Sequence, residues 1–180
     1  MNSPDDDLSP HRPVMLDEVI SFINPSKGDI IVDATIGAAG HSCEILKKIQ
    51  PDGLLIGIDK DAEILKIASR FLSKISDSYK LYQADFVNLG CVLEKLKISK
   101  VNGILLDLGV SSLQLDSLDR GFSFNKEGPL DMRMDRTEGV TAEDLLKRLS
   151  EREMADVFYK YGEERKSRRV AKAIVNEQKR

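Results

Sequence analysis

The stretch that decides the fold is Ile30-Ile31-Val32-Asp33-Ala34-Thr35-Ile36-Gly37-Ala38-Ala39-Gly40-His41. Its apolar first part predicts a buried strand, its small residues predict a tight loop, and its last residue begins a predicted helix. Small side chains let the backbone approach a ligand closely, and a helix N-terminus offers N–H groups that have no partner inside the helix. Joints of this kind hold nucleotide-like cofactors in α/β proteins, so the stretch predicts a cofactor loop.

Strand and helix patterns alternate on the C-terminal side of this stretch. Short apolar runs separated by helical patterns indicate βαβ units and a parallel sheet that is buried on both faces. We therefore predict an α/β protein with a Rossmann-like sheet. The predicted strands are Ile30–Ala34, Leu54–Ile58, Tyr79–Ala84 and Val101–Leu106, and the predicted helices are Val14–Ile23, His41–Ile49, Ala62–Ile75 and Leu89–Leu96.

A carboxylate lies at or just after the end of each predicted strand. Parallel strands place their carboxyl ends along one edge of the sheet, and ligands of open α/β sheets bind outside that edge. One acid at each of four successive strand ends therefore predicts a ligand site there. The four acids are Asp33, Asp59, Asp85 and Asp107.

The chain divides into three parts by its sequence pattern. We predict a disordered lead over residues 1–12, an α/β domain over 13–140 and a helical part over 141–180. Within the second part, residues 108–139 form a connection of a length that is usually functional or disordered. Thr141 begins a helix N-cap signature, and no fifth strand pattern follows it. The predicted helices of the third part are Leu145–Leu149, Glu151–Tyr159 and Glu163–Glu177.

Composition excludes several classes of protein. No apolar run approaches the ~20 residues that span a bilayer, and the acidic N-terminus is unlike a targeting signal. Cys43 and Cys91 match no metal spacing, and two distant histidines form no metal cluster. These features predict a cytoplasmic protein with reduced thiols, without a metal site and without a membrane segment.

Positive charge is concentrated at the end of the chain. The net charge is −3, yet residues 165–180 hold seven basic residues and one acidic residue, a local charge of +6. Such a cluster suits a phosphate backbone. A solvated helix face explains the same charges, and the pattern alone leaves both interpretations open.

The small-residue loop and Asp59 together favour one cofactor. Residues 37–40 fit neither the dinucleotide glycine pattern nor a P-loop, so a cofactor without a pyrophosphate is favoured, and S-adenosylmethionine fits. Asp59 lies twenty-two residues after Gly37, close to the ~20-residue offset of a ribose-binding acid. The alternatives are a structural turn for the loop and a helix N-cap for Asp59, a role that Asp61 fills equally well.

Three further positions are candidates around an adenosine cofactor. Phe86 offers a flat apolar surface for adenine and Asp85 a polar edge partner, although a core position explains Phe86 equally well. His41 begins its helix and suits a cofactor carboxylate or a helix cap. Asp107 follows the fourth strand, where many enzymes that methylate exocyclic amines carry an acid or amide before Pro-Pro-aromatic; only the acid is kept here. A carboxylate that caps local backbone is the alternative for Asp107.

The loop that follows Asp107 mixes aromatic and charged residues. Phe122 and Phe124 suit stacking on an unstacked nucleotide, and Arg120 and Arg133 suit phosphate. A surface loop whose charges pair with one another explains the same composition. Spacing alone leaves the choice open.

Six segments of the chain closely resemble the MraW-like family of S-adenosylmethionine-dependent methyltransferases. The resemblance extends from His11 onward, and the run Gly128–Asp135 is the most specific to the family. Family members are larger, so the resemblance implies the first four strands of a class I methyltransferase sheet and the start of a helical insertion at Thr141, without the C-terminal strands. The segments are His11–Met15, Asp33–His41, Leu105–Ser112, Asp119–Phe124, Gly128–Asp135 and Tyr161–Arg165.

The resemblance implies an activity and a set of site residues. The activity is N4-methylation of one cytidine in the decoding region of 16S ribosomal RNA, with the small ribosomal subunit as partner and residues 141–180 in substrate recognition. The implied cofactor residues are Ala39, Gly40 and His41, with Asp59 on the ribose, Phe86 and Asp107 near the adenine, and Gln114 closing the pocket. Gln114 comes from the resemblance alone.

We assign the catalytic role to Asp107. Methyl transfer depends mainly on positioning, and the target base must be unstacked to bring its amine to the methyl group. Asp107, or a backbone carbonyl near it, is expected to accept a hydrogen bond from that amine. Two alternatives stay open: a non-catalytic RNA- or ribosome-binding remnant that uses residues 165–180, and a methyltransferase that acts on DNA or a small molecule.

Overall fold

The computed structural model describes residues 13–179, and the lead predicted over residues 1–12 lies outside this range. The described chain forms two compact units that divide between Gln114 and Leu115. The sequence placed its division at residues 140 and 141 instead. That assignment of domains stays a prediction, because compactness alone does not define a functional domain.

The first unit is built on a parallel sheet of four strands in the order β3-β2-β1-β4. This confirms the predicted α/β fold. Helix α1 precedes the sheet, and helices alternate with the strands up to α5. The elements are α1 Leu16–Ile23, β1 Ile30–Asp33, α2 Gly40–Ile49, β2 Leu54–Asp59, α3 Ala62–Leu72, β3 Tyr79–Gln83, α4 Leu89–Leu96, β4 Gly103–Leu105 and α5 Ser112–Asp116.

Both faces of the sheet are covered, because successive side chains of each strand point to opposite faces. Ile31 and Leu55 face the cluster formed with α2, which also contains Ile45, Leu46 and Ile49. The other face contains Val32, Ile56 and Ile58, packed with Val92 of α4. The continuous apolar runs of β1 and β2 therefore follow from burial on two sides.

Strand β4 is shorter than predicted, and side chains take part in the hydrogen bonding beside both of its ends. At its start, Asn102 accepts from Ile30 N–H through Oδ1 at 2.9 Å. At its end, Asp107 N–H donates to Thr35 Oγ1 at 2.7 Å. The predicted strand Val101–Leu106 therefore contracts to Gly103–Leu105.

The second unit contains an irregular loop over residues 117–141 and three helices. The helices are α6 Ala142–Arg148, α7 Glu151–Gly162 and α8 Ser167–Gln178. Thr141 accepts from Asp144 N–H and so caps α6, as its signature predicted. The predicted last helix began at Glu163, but Glu163 adopts φ 51° and ends α7, so α8 begins four residues later.

Candidate cofactor site

The candidate site lies at the switch point of the sheet, where the order in which strands are added changes from one side of β1 to the other. Strands β2 and β3 are added on one side of β1, and β4 is added on its other side. Ligands bind outside the carboxyl ends of the strands at such a switch point. Here Ala34 N–H donates to Leu105 O at 2.9 Å, which joins the cofactor loop after β1 to the segment after β4.

Asp33 lies buried beneath the cofactor loop and fixes it from below. Ser42 Oγ donates to Asp33 Oδ2 at 2.7 Å, and Thr35 N–H donates to Asp33 Oδ1 at 3.2 Å. Burial raises the pKa of Asp33 from 3.8 to about 6, against the lowering effect of these hydrogen bonds. The sequence predicted Asp33 only as one of four carboxylates at strand ends. Its contact with Ser42 follows from the helix that begins after the loop.

The first turn of α2 faces the loop without a side-chain cap. Ala39 occupies the N-cap position in the left-handed conformation, with φ 65°, and its methyl group offers no oxygen to the helix. The first N–H groups of a helix need a partner from outside the helix, and an anion satisfies them. The N–H groups of Gly40 and His41, the first two helical residues, therefore have no acceptor within the helix. Their role toward a cofactor stays a prediction.

Asp59, at the end of β2, binds the cofactor loop directly. Gly37 N–H donates to Asp59 Oδ2 at 3.0 Å, and Asp61 N–H donates to Asp59 Oδ1 at 3.0 Å. Burial raises the pKa of Asp59, mainly because its charge is partly desolvated. Asp59 does not cap α3, since Asp61 fills that role by accepting from Glu63 N–H at 3.0 Å. The N-cap role that was the alternative for Asp59 is therefore filled by Asp61.

Gln114 bridges two segments with the two ends of its amide. Its Nε2 donates to Asp61 Oδ2 at 3.1 Å, and its Oε1 accepts from Ser111 N–H at 3.0 Å. Gln114 N–H in turn donates to Ser111 Oγ at 3.2 Å, which completes a capping box at the start of α5. The spacing Ser-x-x-Gln is a sequence signal for this box, but its bond to Asp61, 53 residues away, has no local signal.

Phe86 lies beside the end of β3 with 40% of its surface exposed, so it is not a core residue. Asp85 accepts from Val87 N–H at 3.0 Å and forms an ion pair with Lys60, Nζ to Oδ2 2.6 Å. The Lys60 ammonium lowers the pKa of Asp85. Phe86 thus presents an accessible ring next to a carboxylate that stays charged.

Asp107 and His41 face each other across the switch point. His41 Nδ1 lies 3.9 Å from Asp107 Oδ2, and the Asp107 side chain is 58% exposed. His41 Nε2 lies 3.0 Å from Val14 O, so this nitrogen carries a proton. His41 is not the N-cap of α2, because Ala39 occupies that position, and its second nitrogen, Nδ1, lies toward Asp107.

The charged loop of the second unit pairs with itself. Arg133 donates to Asp131 twice, Nε to Oδ1 at 2.8 Å and Nη2 to Oδ2 at 2.9 Å. Buried Arg120 donates through Nη2 to the carbonyls of Arg133 and Met134. The geometry favours the self-paired interpretation for these two arginines. Phe124 is fully exposed and Phe122 is partly buried.

Residues 13–179 contain no group of three or more His, Cys, Asp or Glu side chains arranged to hold a metal ion. No helix in the same range is long and apolar enough to cross a membrane. Cys43 is buried, and burial raises the pKa of its thiol to about 11.

Residues 8–180 match the model of the MraW methylase family. The chain is 48% identical over 170 residues to the ribosomal RNA small subunit methyltransferase H of Dictyoglomus thermophilum, covering 94% of this chain and 57% of that protein. It is 47% identical over 164 residues to the protein of the same name from Syntrophotalea carbinolica, covering 91% of this chain and 52% of that protein. The chain therefore spans about half the length of these curated relatives.

The structure also aligns in part with solved structures at low sequence identity. Aeropyrum pernix fibrillarin, solved with natively bound S-adenosyl-L-methionine, aligns with a TM-score of 0.41 at 14% identity, covering 50% of this chain and 38% of that one. NSun6 from Pyrococcus horikoshii aligns with a TM-score of 0.44 at 24% identity, covering 57% and 25%.

Proposed function

The chain belongs to the MraW methylase family, and from this membership and the geometry of the switch point we propose that it is an S-adenosylmethionine-dependent methyltransferase of small-subunit ribosomal RNA. One observation carries the cofactor: the uncapped first turn of α2 lies beside a loop that Asp59 holds through Gly37 N–H. The relatives named above support the RNA substrate.

The residues at the switch point fit the chemistry of this cofactor. We assign the N–H groups of Gly40 and His41 to its carboxylate, because a helix start attracts an anion. Ala39 is assigned to the adjoining wall of the site, since its own N–H donates to Ile36 O at 2.8 Å. Asp59 has both oxygens directed at backbone N–H groups and keeps lone pairs for ribose hydroxyls. The exposed ring of Phe86 is assigned to the adenine face, with Asp85 at the polar edge and Asp107 near the same ring. Gln114 is assigned to the wall of the same pocket.

The bound sulfonium would supply an activated methyl group for direct transfer to a nucleophile. Asp107 is well placed to act on the acceptor, because it is exposed and its backbone is fixed by Thr35. A carboxylate that accepts a hydrogen bond from an exocyclic amine localises the nitrogen lone pair and orients it for attack. We propose N4 of a cytidine in the decoding region of 16S ribosomal RNA as this amine.

A methyl-acceptor assay tests the substrate. The chain is incubated with S-adenosylmethionine that carries a radioactive methyl group and with isolated small ribosomal subunits, naked 16S RNA or DNA. We expect label on the RNA of the subunits, at the N4 position of a single cytidine when the RNA is digested to nucleosides. Label on DNA alone, or no label on any acceptor, contradicts the proposal.

Asp107→Asn tests the catalytic assignment within the same assay. The amide keeps the size of the side chain and one acceptor oxygen but loses the charge. We expect a slower single turnover with the S-adenosylmethionine Kd changed less than the rate. A variant with unchanged rate and unchanged Kd removes Asp107 from both roles.

A further inference from the structure

Helices α7 and α8 pack on each other through a small apolar core of their own. Met154 and Ala155 of α7 meet Ala171 of α8, and all three are buried. Leu149, Phe158, Ile174 and Val175 are among the partly buried side chains that complete the cluster. One side of α8 is thereby committed to packing, and its other side is exposed.

A basic stripe begins just before α8 and continues along its exposed side; we define it as Arg165, which precedes the helix, and Arg168, Arg169 and Lys172 within it. All four residues are exposed. Positions three and four apart lie on one face of a helix, and a helix rises about 1.5 Å per residue. Arg168 and Lys172 therefore stand one turn apart, and Arg169 flanks them. Ser167 and Ala171, on the opposite side, are buried.

The basic stripe differs from the other arginine-rich part of this unit in its partners. Arg133 and Arg136 are paired with Asp131 and Asp119. Within residues 13–179, no carboxylate forms an ion pair with any member of the stripe. Since the loop neutralises these two cations internally, the stripe is a part of this unit where positive charge stays available to an external anion.

We propose that the basic stripe of α8 is a docking surface for the phosphate backbone of RNA. Guanidinium and ammonium groups bind phosphate by charge and by hydrogen bonds, and such contacts fix the register of a nucleic acid without reading its bases. The stripe therefore supplies affinity and orientation and leaves the choice of target base to the cofactor site. This inference rests on the RNA substrate that we propose above.

The charge of the remaining chain favours docking at this place. Residues 165–180 carry +6 in a chain of net charge −3, so the other 164 residues carry −9. A polyanion is repelled by the acidic remainder and attracted by the stripe, which orients the encounter before close contact. Arginine dominates the stripe, which suits the bidentate geometry of phosphate.

The test is the salt dependence of RNA binding by the chain. The variant Arg168→Gln/Arg169→Gln/Lys172→Gln removes three charges, and Gln retains a good helix propensity. Binding to a fluorescently labelled 20-nucleotide RNA is measured between 50 and 300 mM KCl. Each lost phosphate contact lowers the slope of log K against log salt by roughly 0.7, so we expect a decrease of about 2 and an affinity loss of about 100-fold near 0.1 M salt.

A control variant has the same net charge as the α8 variant, because it also loses three positive charges. Lys66→Gln/Arg70→Gln/Lys95→Gln removes three exposed cations from α3 and α4 of the first unit. We expect its slope and affinity to stay within about 2-fold of wild type, apart from a small general effect of net charge. Equal losses in both variants, or no loss in the α8 variant, overturn the proposal. The proposal is also overturned if poly-glutamate displaces the labelled RNA as effectively as poly-uridine of equal charge.

Two further measurements separate this proposal from the methyltransferase assignment. Circular dichroism and urea unfolding show whether the α8 variant folds as wild type does. S-adenosylmethionine binding by the same variant should be unchanged, because the stripe lies outside the proposed cofactor residues. A wild-type chain that binds RNA through α8 but binds no S-adenosylmethionine refutes the cofactor assignment and leaves the docking surface standing.

Discussion

Carboxylates hold irregular backbone in both units, but they do so with different partners. Asp33 and Asp59 accept from backbone N–H and hydroxyl groups at the cofactor loop. Asp131 accepts from the guanidinium of Arg133, and Asp119 pairs with Arg136. Burial raises the pKa of Asp33 to about 6, whereas Arg133 lowers the pKa of Asp131 to about 2.

The difference separates a binding loop from a structural loop. A carboxylate held by N–H groups keeps unused lone pairs and remains partly desolvated. A ligand that donates hydrogen bonds to it therefore stabilises its charged form. A carboxylate that accepts both arms of a guanidinium has its charge already compensated. The first arrangement suits a cofactor site, and the second suits a rigid connection between helices.

Asp33 is expected to give the largest pH effect on stability. Its pKa rises from 3.8 to about 6 on folding, so the stability it confers is complete below pH 3.8 and is lost as pH rises through about 6. A shift of this size corresponds to roughly 3 kcal/mol. Asp33→Asn should flatten this part of the pH dependence, measured as urea midpoints from pH 4 to 7. An unchanged profile in the variant contradicts the assignment.

Asp59→Ala is expected to weaken S-adenosylmethionine binding by about 100-fold or more, since hydrogen bonds to a charged group contribute about 1.5–3 kcal/mol each. Asp59→Asn, which keeps an oxygen for Gly37 N–H, should fall between this variant and wild type. Calorimetric titration measures both. The exposed turn residue Asp52 supplies the control, and Asp52→Ala should bind as wild type does. Equal affinities for all four proteins would falsify the ribose assignment.

Gln114 allows the two ends of its bridge to be tested separately. Gln114→Glu keeps an acceptor for Ser111 N–H but places a carboxylate against Asp61 Oδ2. Ser111→Ala removes the cap and keeps the bond to Asp61. We expect about 10-fold weaker cofactor binding for Gln114→Glu, and about 2- to 3-fold for Ser111→Ala, because like charges repel while a cap contributes about 1 kcal/mol or less. The reverse order of effects refutes the bridge.

Asp131→Asn should give the smallest effect, and its pH dependence has the opposite sign to that of Asp33. The lowered pKa of Asp131 means that its stabilisation is present above pH 3.8 and is lost as pH falls through about 2. The stability difference between variant and wild type should therefore narrow between pH 4 and pH 2, measured by thermal unfolding. Cofactor affinity should not change. A difference that widens on acidification contradicts the pairing with Arg133.

The sequence predicted the sheet and the strand-end acids because both depend on local pattern. Apolar runs of strand length gave β1 to β4, and ligand binding at strand ends follows from parallel topology. The bridge from Gln114 to Asp61 and the bond from His41 to Val14 join positions 53 and 27 residues apart, so no local spacing encodes them. The ends of α3 and β4 differed from prediction where single side chains or turns replaced regular hydrogen bonds.

The sequence also did not determine which charged side chains pair with each other. Composition made the loop arginines and the end of the chain look alike as phosphate-binding candidates. Arg133 pairs with an acid only two positions away, whereas Arg168 and Lys172 lie on a helix whose exposed face has few acids. Only the fold decides which charges meet.

Competitive titration of the chain with S-adenosylmethionine and NAD measures directly which cofactor the loop at the switch point accepts. We expect binding of S-adenosylmethionine with a stoichiometry of one, loss of that binding in Asp59→Ala, and no competition from NAD at equal concentration. Preference for NAD, or binding of S-adenosylmethionine that Asp59→Ala leaves unchanged, would contradict the cofactor assignment.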